Sequence, residues 1–136
     1  MALPSIGGGR QVGDGNVNEV VLGVQSTPAT ATSTATLTIA QLQTGILLGS
    51  PGSSAATYTL PTVALTEAAL VNAKTDSSFD FHIVNVDGSG SGVITVAVGT
   101  GWTLVGLATV AATAGTASHW RARKTGSAAW TCYRLA

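Results

Sequence analysis

The run Phe79-Asp80-Phe81-His82-Ile83-Val84-Asn85, the tip Asp87-Gly88-Ser89-Gly90-Ser91-Gly92 and the run Val93-Ile94-Thr95-Val96-Ala97-Val98 decide the fold. Phe79, Phe81, Ile83 and Asn85 fall on one face of an extended backbone, and Asp80, His82, Val84 and Val86 on the other. This period of two marks a half-buried strand. The Gly/Ser tip reads as a flexible hairpin turn, with Val93–Val98 as its return strand.

Similar phrases lie on both sides. Leu37 and Ile39 alternate with Thr36 and Thr38 as a strand. Ile46-Leu47-Leu48 runs into the turn cluster Gly49-Ser50-Pro51-Gly52, and Ala56–Leu60 alternates until Pro61. Downstream, Trp102–Val105, Leu107–Ala112, His119–Lys124 and Ala129–Leu135 read as strands, the last two joined by Thr125-Gly126-Ser127. Only Pro61–Ala73 breaks the alternation. Its alanines, with Thr62 just ahead of Glu67-Ala68-Ala69-Leu70, predict one short helix with proline at its tolerant N-terminus. About eight to ten short strands with frequent turn signals suit an antiparallel sandwich or barrel.

Residues 1–34 differ from the rest. Gly7–Asn16 is loop chemistry, Val20–Val24 is a candidate short strand, and Pro28–Thr36 is a β-favourable Thr/Ala run. They read as an N-terminal arm and linker ahead of a folded domain over residues 35–136.

Charge is scarce. Of 136 residues, 9% are charged, and six basic side chains balance six acidic ones. An ordinary domain carries roughly 25%. So neutral a chain has little pull on nucleic acid or anionic lipid. It is also poorly suited to life as a free monomer, so partners should cover much of its surface. The acids all fall at or before Asp87, whereas Arg121, Arg123, Lys124 and Arg134 close the chain. That division predicts a polarity able to orient copies against one another. Alternation puts His119, Arg121 and Arg123 on one face and turns Trp120 and Ala122 inward, so no aromatic shares the basic face as single-stranded nucleic acid would need.

Catalytic motifs are weak. Gly88-Ser89-Gly90-Ser91-Gly92 has glycine where a nucleophile elbow has serine. His82 and His119 have no cysteine or carboxylate at zinc spacing and read as strand residues. Asp76, Asp80 and Asp87 fall in loop, strand and turn, which does not motivate a glycosidase pair. Asp14, Asn16 and Asn18 mimic the start of a calcium loop, but Glu19 and Gln25 stand where glycine and glutamate belong. The single cysteine, Cys132, reads as a small core residue. The expectation is no enzyme, no cofactor and no metal. No secretory signal and no membrane span is evident, which predicts synthesis in a cytoplasm.

From Leu37 onward the chain resembles small virion structural proteins of tailed bacteriophages. The phrases carrying the resemblance are Leu37–Leu47, Ala55–Thr62, Ser78–Asn85, Gly99–Gly106 and Ala129–Leu135. Among such proteins it looks most like capsid decoration, or cement, proteins. The resemblance implies a β-sandwich, often trimeric, bound to the outer surface of the capsid. Joined to the residue reading, the expected fold is all-β: an antiparallel, jelly-roll-like sandwich with one short helix and an extended N-terminal arm. The expected partners are the major capsid protein and two further copies in a homotrimer, with no nucleic acid and no membrane. Expected capsid contacts are Leu3, Ile6, Arg10, Asp14, Asn16, Asn18 and Glu19 in the arm. A head-fibre or tail-fibre module binding a host receptor or glycan is the alternative, and it asks for exposed Trp102, Trp120 and Trp130.

Overall fold

The computed structural model describes residues 22–136. Within them the chain is mostly β, in two sheets, with two small helices. In chain order the elements are β1 (Ala29–Ala31), β2 (Ala35–Thr36), α1 (Ile39–Gln43), β3 (Ile46–Gly49), β4 (Ala56–Thr59), α2 (Val63–Ala69) and β5 (Ser78–Asn85). There follow β6 (Ile94–Ala97), β7 (Trp102–Val105), β8 (Thr109–Val110), β9 (Thr116–Gly126) and β10 (Ala129–Arg134).

From β1 to β9, successive strands alternate between the sheets. One sheet has the order β1-β3-β5-β9-β10-β7 and the other β2-β4-β6-β8. The chain therefore winds as a coil, leaving one strand in each sheet per turn. Strands laid down one full turn apart run the same way, so β1, β3 and β5 are parallel neighbours, as are β2, β4 and β6. Parallel neighbours need a long crossover. Here the other sheet and the two helices supply it.

This corrects the expected antiparallel, jelly-roll-like sandwich. A jelly roll is an antiparallel architecture, and among the described residues five of the eight strand pairings are parallel. It also corrects the hairpin at Asp87–Gly92. Strand β5 pairs with β3 and β9, while β6 lies in the other sheet beside β4 and β8. Nor is the Gly/Ser segment a loose tip. Buried Asn85 donates to the carbonyls of Gly92 (2.9 Å) and Ala111 (3.0 Å), and its Oδ1 accepts from Gly88 N–H (2.7 Å). Gly92 passes so close to Gly52 that a Cβ there would strike the Gly52 carbonyl. The segment is a corner that carries the chain from one sheet to the other.

Two helices stand where one was expected. Thr62 caps α2, its hydroxyl accepting from Leu65 N–H at 3.3 Å, so the helix read at Pro61–Ala73 is present but shorter. The strand read through Leu37 and Ile39 becomes α1. Thr38 Oγ1 accepts from Gln41 N–H (3.2 Å), and Gln41 Oε1 accepts from Thr38 N–H (2.9 Å). This reciprocal capping box starts a helix, and Gly45 at φ 80° follows its end. Ile39 and Leu42 bury the same face of α1. Leu22–Val24 are not a strand, and β8 covers only Thr109–Val110 of the expected Leu107–Ala112.

The faces of the central strands β5 and β9 follow the alternation. Phe81, Ile83 and Asn85 of β5, Trp120 and Ala122 of β9, and Cys132 of β10 are buried. They join Leu47, Tyr58, Leu60, Ile94, Val96 and Val110 in one core between the sheets. The expected final hairpin is present, turning at Ser127-Ala128 one step after the predicted turn, with a bulge at Thr125. The stretch read as linker contributes β1. Tyr58, buried in the other sheet, donates from its hydroxyl to the Ala31 carbonyl at 2.8 Å and ties β1 to the body.

Candidate functional site

The outer face of β5 and β9 carries Asp80, Arg121 and Arg123 together with both histidines. The antiparallel register sets Asp80 opposite Arg121, His82 opposite His119, and Ser78 opposite Arg123. The period of two projects these side chains outward together. Arg121 grips Asp80 with two bonds, Nε to Oδ1 at 2.6 Å and Nη2 to Oδ2 at 2.8 Å. His119 Nε2 lies 2.8 Å from the same Oδ2. The His82 and His119 rings stack, with centroids 4.3 Å apart and planes 14° from parallel. His82 Nδ1 is 3.3 Å from the Gly45 carbonyl.

The Arg121 guanidinium, assisted by His119, holds the Asp80 carboxyl down at about 2. Arg121 is raised in turn, first by its hydrogen bonds to Asp80. Arg123 reaches both Tyr133 Oη and Asp76. Lys124 Nζ stands 2.8 Å from Glu67 Oε1 and lowers that carboxyl. Arg134 donates to the carbonyls of Leu107 (3.3 Å), Thr109 and Ala136 (3.0 Å), and lies 5.4 Å from the Trp120 ring centroid.

The predicted division between acids and bases is therefore undone by folding. Strand β5, the turn before it and α2 bring Asp80, Asp76 and Glu67 against Arg121, Arg123 and Lys124 of β9. Charges far apart in sequence neutralise one another across neighbouring elements. The basic stripe that could have oriented copies has its charges matched within the chain.

Chemically this cluster is a clamp between two strands. Both Asp80 oxygens are engaged. Among the described residues no hydroxyl or thiol hydrogen-bonds either histidine, and no group of three His, Cys, Asp or Glu is placed to hold a metal. Asp87 lies apart, accepting from Gly52 N–H at 3.0 Å. Cys132 is buried as expected, and burial pushes its thiol up to about 12. Trp102, Trp120 and Trp130 are core residues, so they form no exposed platform for a sugar. The arm residues Leu3, Ile6, Arg10, Asp14, Asn16, Asn18 and Glu19 lie outside the described residues.

A second kind of surface flanks α2. One hollow of about 330 Å³ lies beyond the helix C-terminus, walled by Leu70, Val71, Phe79 and Trp130 with Asn72 and Ser77 at its polar side. Another, of about 310 Å³, lies between α1 and α2, with Leu37, Ile39, Ala40, Pro61, Leu65 and Ala69 around it. Leu65 (61%) and Val71 (77%) stand largely in the open beside them. The sequence reading missed these hollows. The capping signal Thr38-x-x-Gln41 was the clue that a second helix would stand beside α2.

The chain matches no family model, no curated protein and no solved structure. Among the described residues, no helix is long and apolar enough to cross a membrane.

Proposed function

We propose that the protein is a virion structural protein, a decoration or cement protein that binds the assembled phage head from outside as a homotrimer and stabilises it. One observation carries this reading. Most of the charged side chains that the structure describes are tied up inside the chain, while Leu65, Val71, Val105, Leu107 and Leu135 face outward. A surface so poor in free charge and so dotted with apolar side chains suits a protein covered by neighbours.

The mechanism is linkage. A ligand that binds only the assembled lattice stabilises it by RT ln(1 + [L]/Kd) per site in the simplest case. Three linked binding surfaces add avidity to this. The arm over residues 1–27 is the proposed capsid-reaching element, with Leu3, Ile6, Arg10, Asp14, Asn16, Asn18 and Glu19 as its contacts.

The test mixes purified protein with capsids that lack it, followed by sedimentation and heating. Full-length protein should co-sediment and raise the temperature at which the capsids break. Failure of the full-length chain to bind would refute the reading. Undiminished binding after removal of residues 1–27 would refute only the role of the arm.

A further inference from the structure

We infer that His82 and His119 together bind one divalent transition-metal ion of the kind that imidazole favours (Zn²⁺, Cu²⁺ or Ni²⁺) and so staple β5 to β9. The two residues are far apart in the sequence, and the antiparallel register sets them directly opposite each other. Their rings stack with centroids 4.3 Å apart. His82 is exposed and the His119 side chain is 31% exposed, so an ion and the waters that complete its shell have access.

Each ring is held through one of its nitrogens. His119 Nε2 lies 2.8 Å from Asp80 Oδ2, and His82 Nδ1 lies 3.3 Å from the Gly45 carbonyl oxygen. A carboxylate and a carbonyl only accept, so these two nitrogens carry the ring proton and donate. Among the described residues neither ring makes another side-chain hydrogen bond. In the neutral rings, His119 Nδ1 and His82 Nε2 therefore keep free lone pairs. Metal-ligating histidines are supported in the same way: the other ring N–H almost always donates to a carboxylate, a backbone carbonyl or water. Asp80 is fixed in turn by its two bonds from Arg121.

The spacing is within reach of one ion. A tetrahedral ion with bonds of about 2.0–2.1 Å needs its two nitrogens roughly 3.4 Å apart. Rings whose centroids are 4.3 Å apart meet that span by pivoting about their Cβ–Cγ bonds, a soft torsion in histidine. Binding thus turns the rings out of their stack. The donor set also selects the metal. Both Asp80 oxygens are engaged, so the site offers imidazole nitrogen and no free carboxylate. Imidazole suits Zn²⁺, Cu²⁺ and Ni²⁺, whereas Mg²⁺ and Ca²⁺ take oxygen ligands.

The experiment titrates the full chain, free of any polyhistidine tag, with ZnCl₂ in a calorimeter. One Zn²⁺ per chain is expected, and none of the heat should appear with MgCl₂. His82→Gln and His119→Gln should each weaken binding about tenfold or more, and the double variant should lose it, with near-ultraviolet circular dichroism to verify folding. Asp80→Asn touches no metal and should weaken binding about 10–100-fold through the orientation of His119. Zn²⁺ should raise the melting temperature of the unaltered chain and not that of the double variant. No Zn²⁺ binding by the unaltered chain, or undiminished binding by the folded double variant, would overturn the site.

Electron paramagnetic resonance of the Cu²⁺-loaded chain supplies an independent readout. The chain has two histidines in all, so imidazole coupling can come from no other residue. Coupling to two imidazole nitrogens is expected, falling to one in His82→Gln. Coupling to a single imidazole in the unaltered chain would overturn the proposal. So would one ion per two chains with metal-dependent dimers in sedimentation, because the ion would then join copies and not β5 to β9.

Discussion

The coil from β1 to β6 and the hairpin of β9 and β10 are built on opposite principles. In the hairpin, partners are close in sequence, and Gly126 meets Ala129 across a two-residue turn. In the coil, partners are one full turn apart: Ala29 stands beside Leu47, and Ile46 beside His82. The hairpin closes a short loop for each pairing it forms. The coil must close long ones before any pairing forms, at a larger entropic cost. Its corners are accordingly held by single buried polar groups that reach between distant segments. The hairpin and its neighbour β5 are held by a repeated ladder with exposed ion pairs along it. Loss of one corner group should therefore harm the fold more than loss of one ion pair.

The largest effect is expected at Asn85. Asn85→Ala leaves Gly88 N–H and the carbonyls of Gly92 and Ala111 without their partner. Each such buried group costs about 1–3 kcal/mol when unpaired, so a loss of about 2–4 kcal/mol is expected in urea denaturation. A loss below about 1 kcal/mol would break the comparison. Tyr58→Phe comes next. It removes one hydrogen bond, to Ala31, while keeping the buried ring, and should cost about 1 kcal/mol. Hydrogen exchange in β1 should quicken more than in β9. Equal quickening in both strands would show that Tyr58 does not act as a local tie.

The smallest effect is expected at the charged ladder. Asp80 is held at about 2, below its ordinary 3.8, so its contribution is present above about pH 4 and fades as pH falls towards 2. The side chain is about one-third exposed, and solvent screening keeps this contribution on the order of 1 kcal/mol or less. Asp80→Asn should flatten the stability–pH curve between about pH 4 and pH 2 and leave β5 and β9 paired. A larger loss at neutral pH than Asn85→Ala causes would reverse the comparison.

The same contrast explains what could be read from the residues alone. The inward set Phe81, Ile83 and Asn85, the buried Trp120, Ala122 and Cys132, and the final hairpin were legible because period two and a short turn are local signals. Thr62 marked α2 for a similar reason. Helix α1 was missed because it is five residues long and its buried Ile39, with Leu37 just ahead of it, also satisfies a strand's alternation. The Thr38–Gln41 box was the stronger signal. The corner at Asp87–Gly92 was misread because Gly and Ser suit a hairpin tip and a sheet-to-sheet passage equally well.

By itself, the sequence determined most of the extended runs, the inward faces of β5 and β9, and that the whole is nearly uncharged. These depend on near neighbours and on composition. Only the tertiary structure decided which strands pair, that they wind as a parallel coil, and that the acids of β5 and α2 meet the bases of β9. The physical reason is that alternation specifies a face and not a partner: a strand looks alike whether its neighbour is the next segment or the one a full turn away. The hollow beside α1 belongs to the same category, because its walls come from two helices and the segments around them.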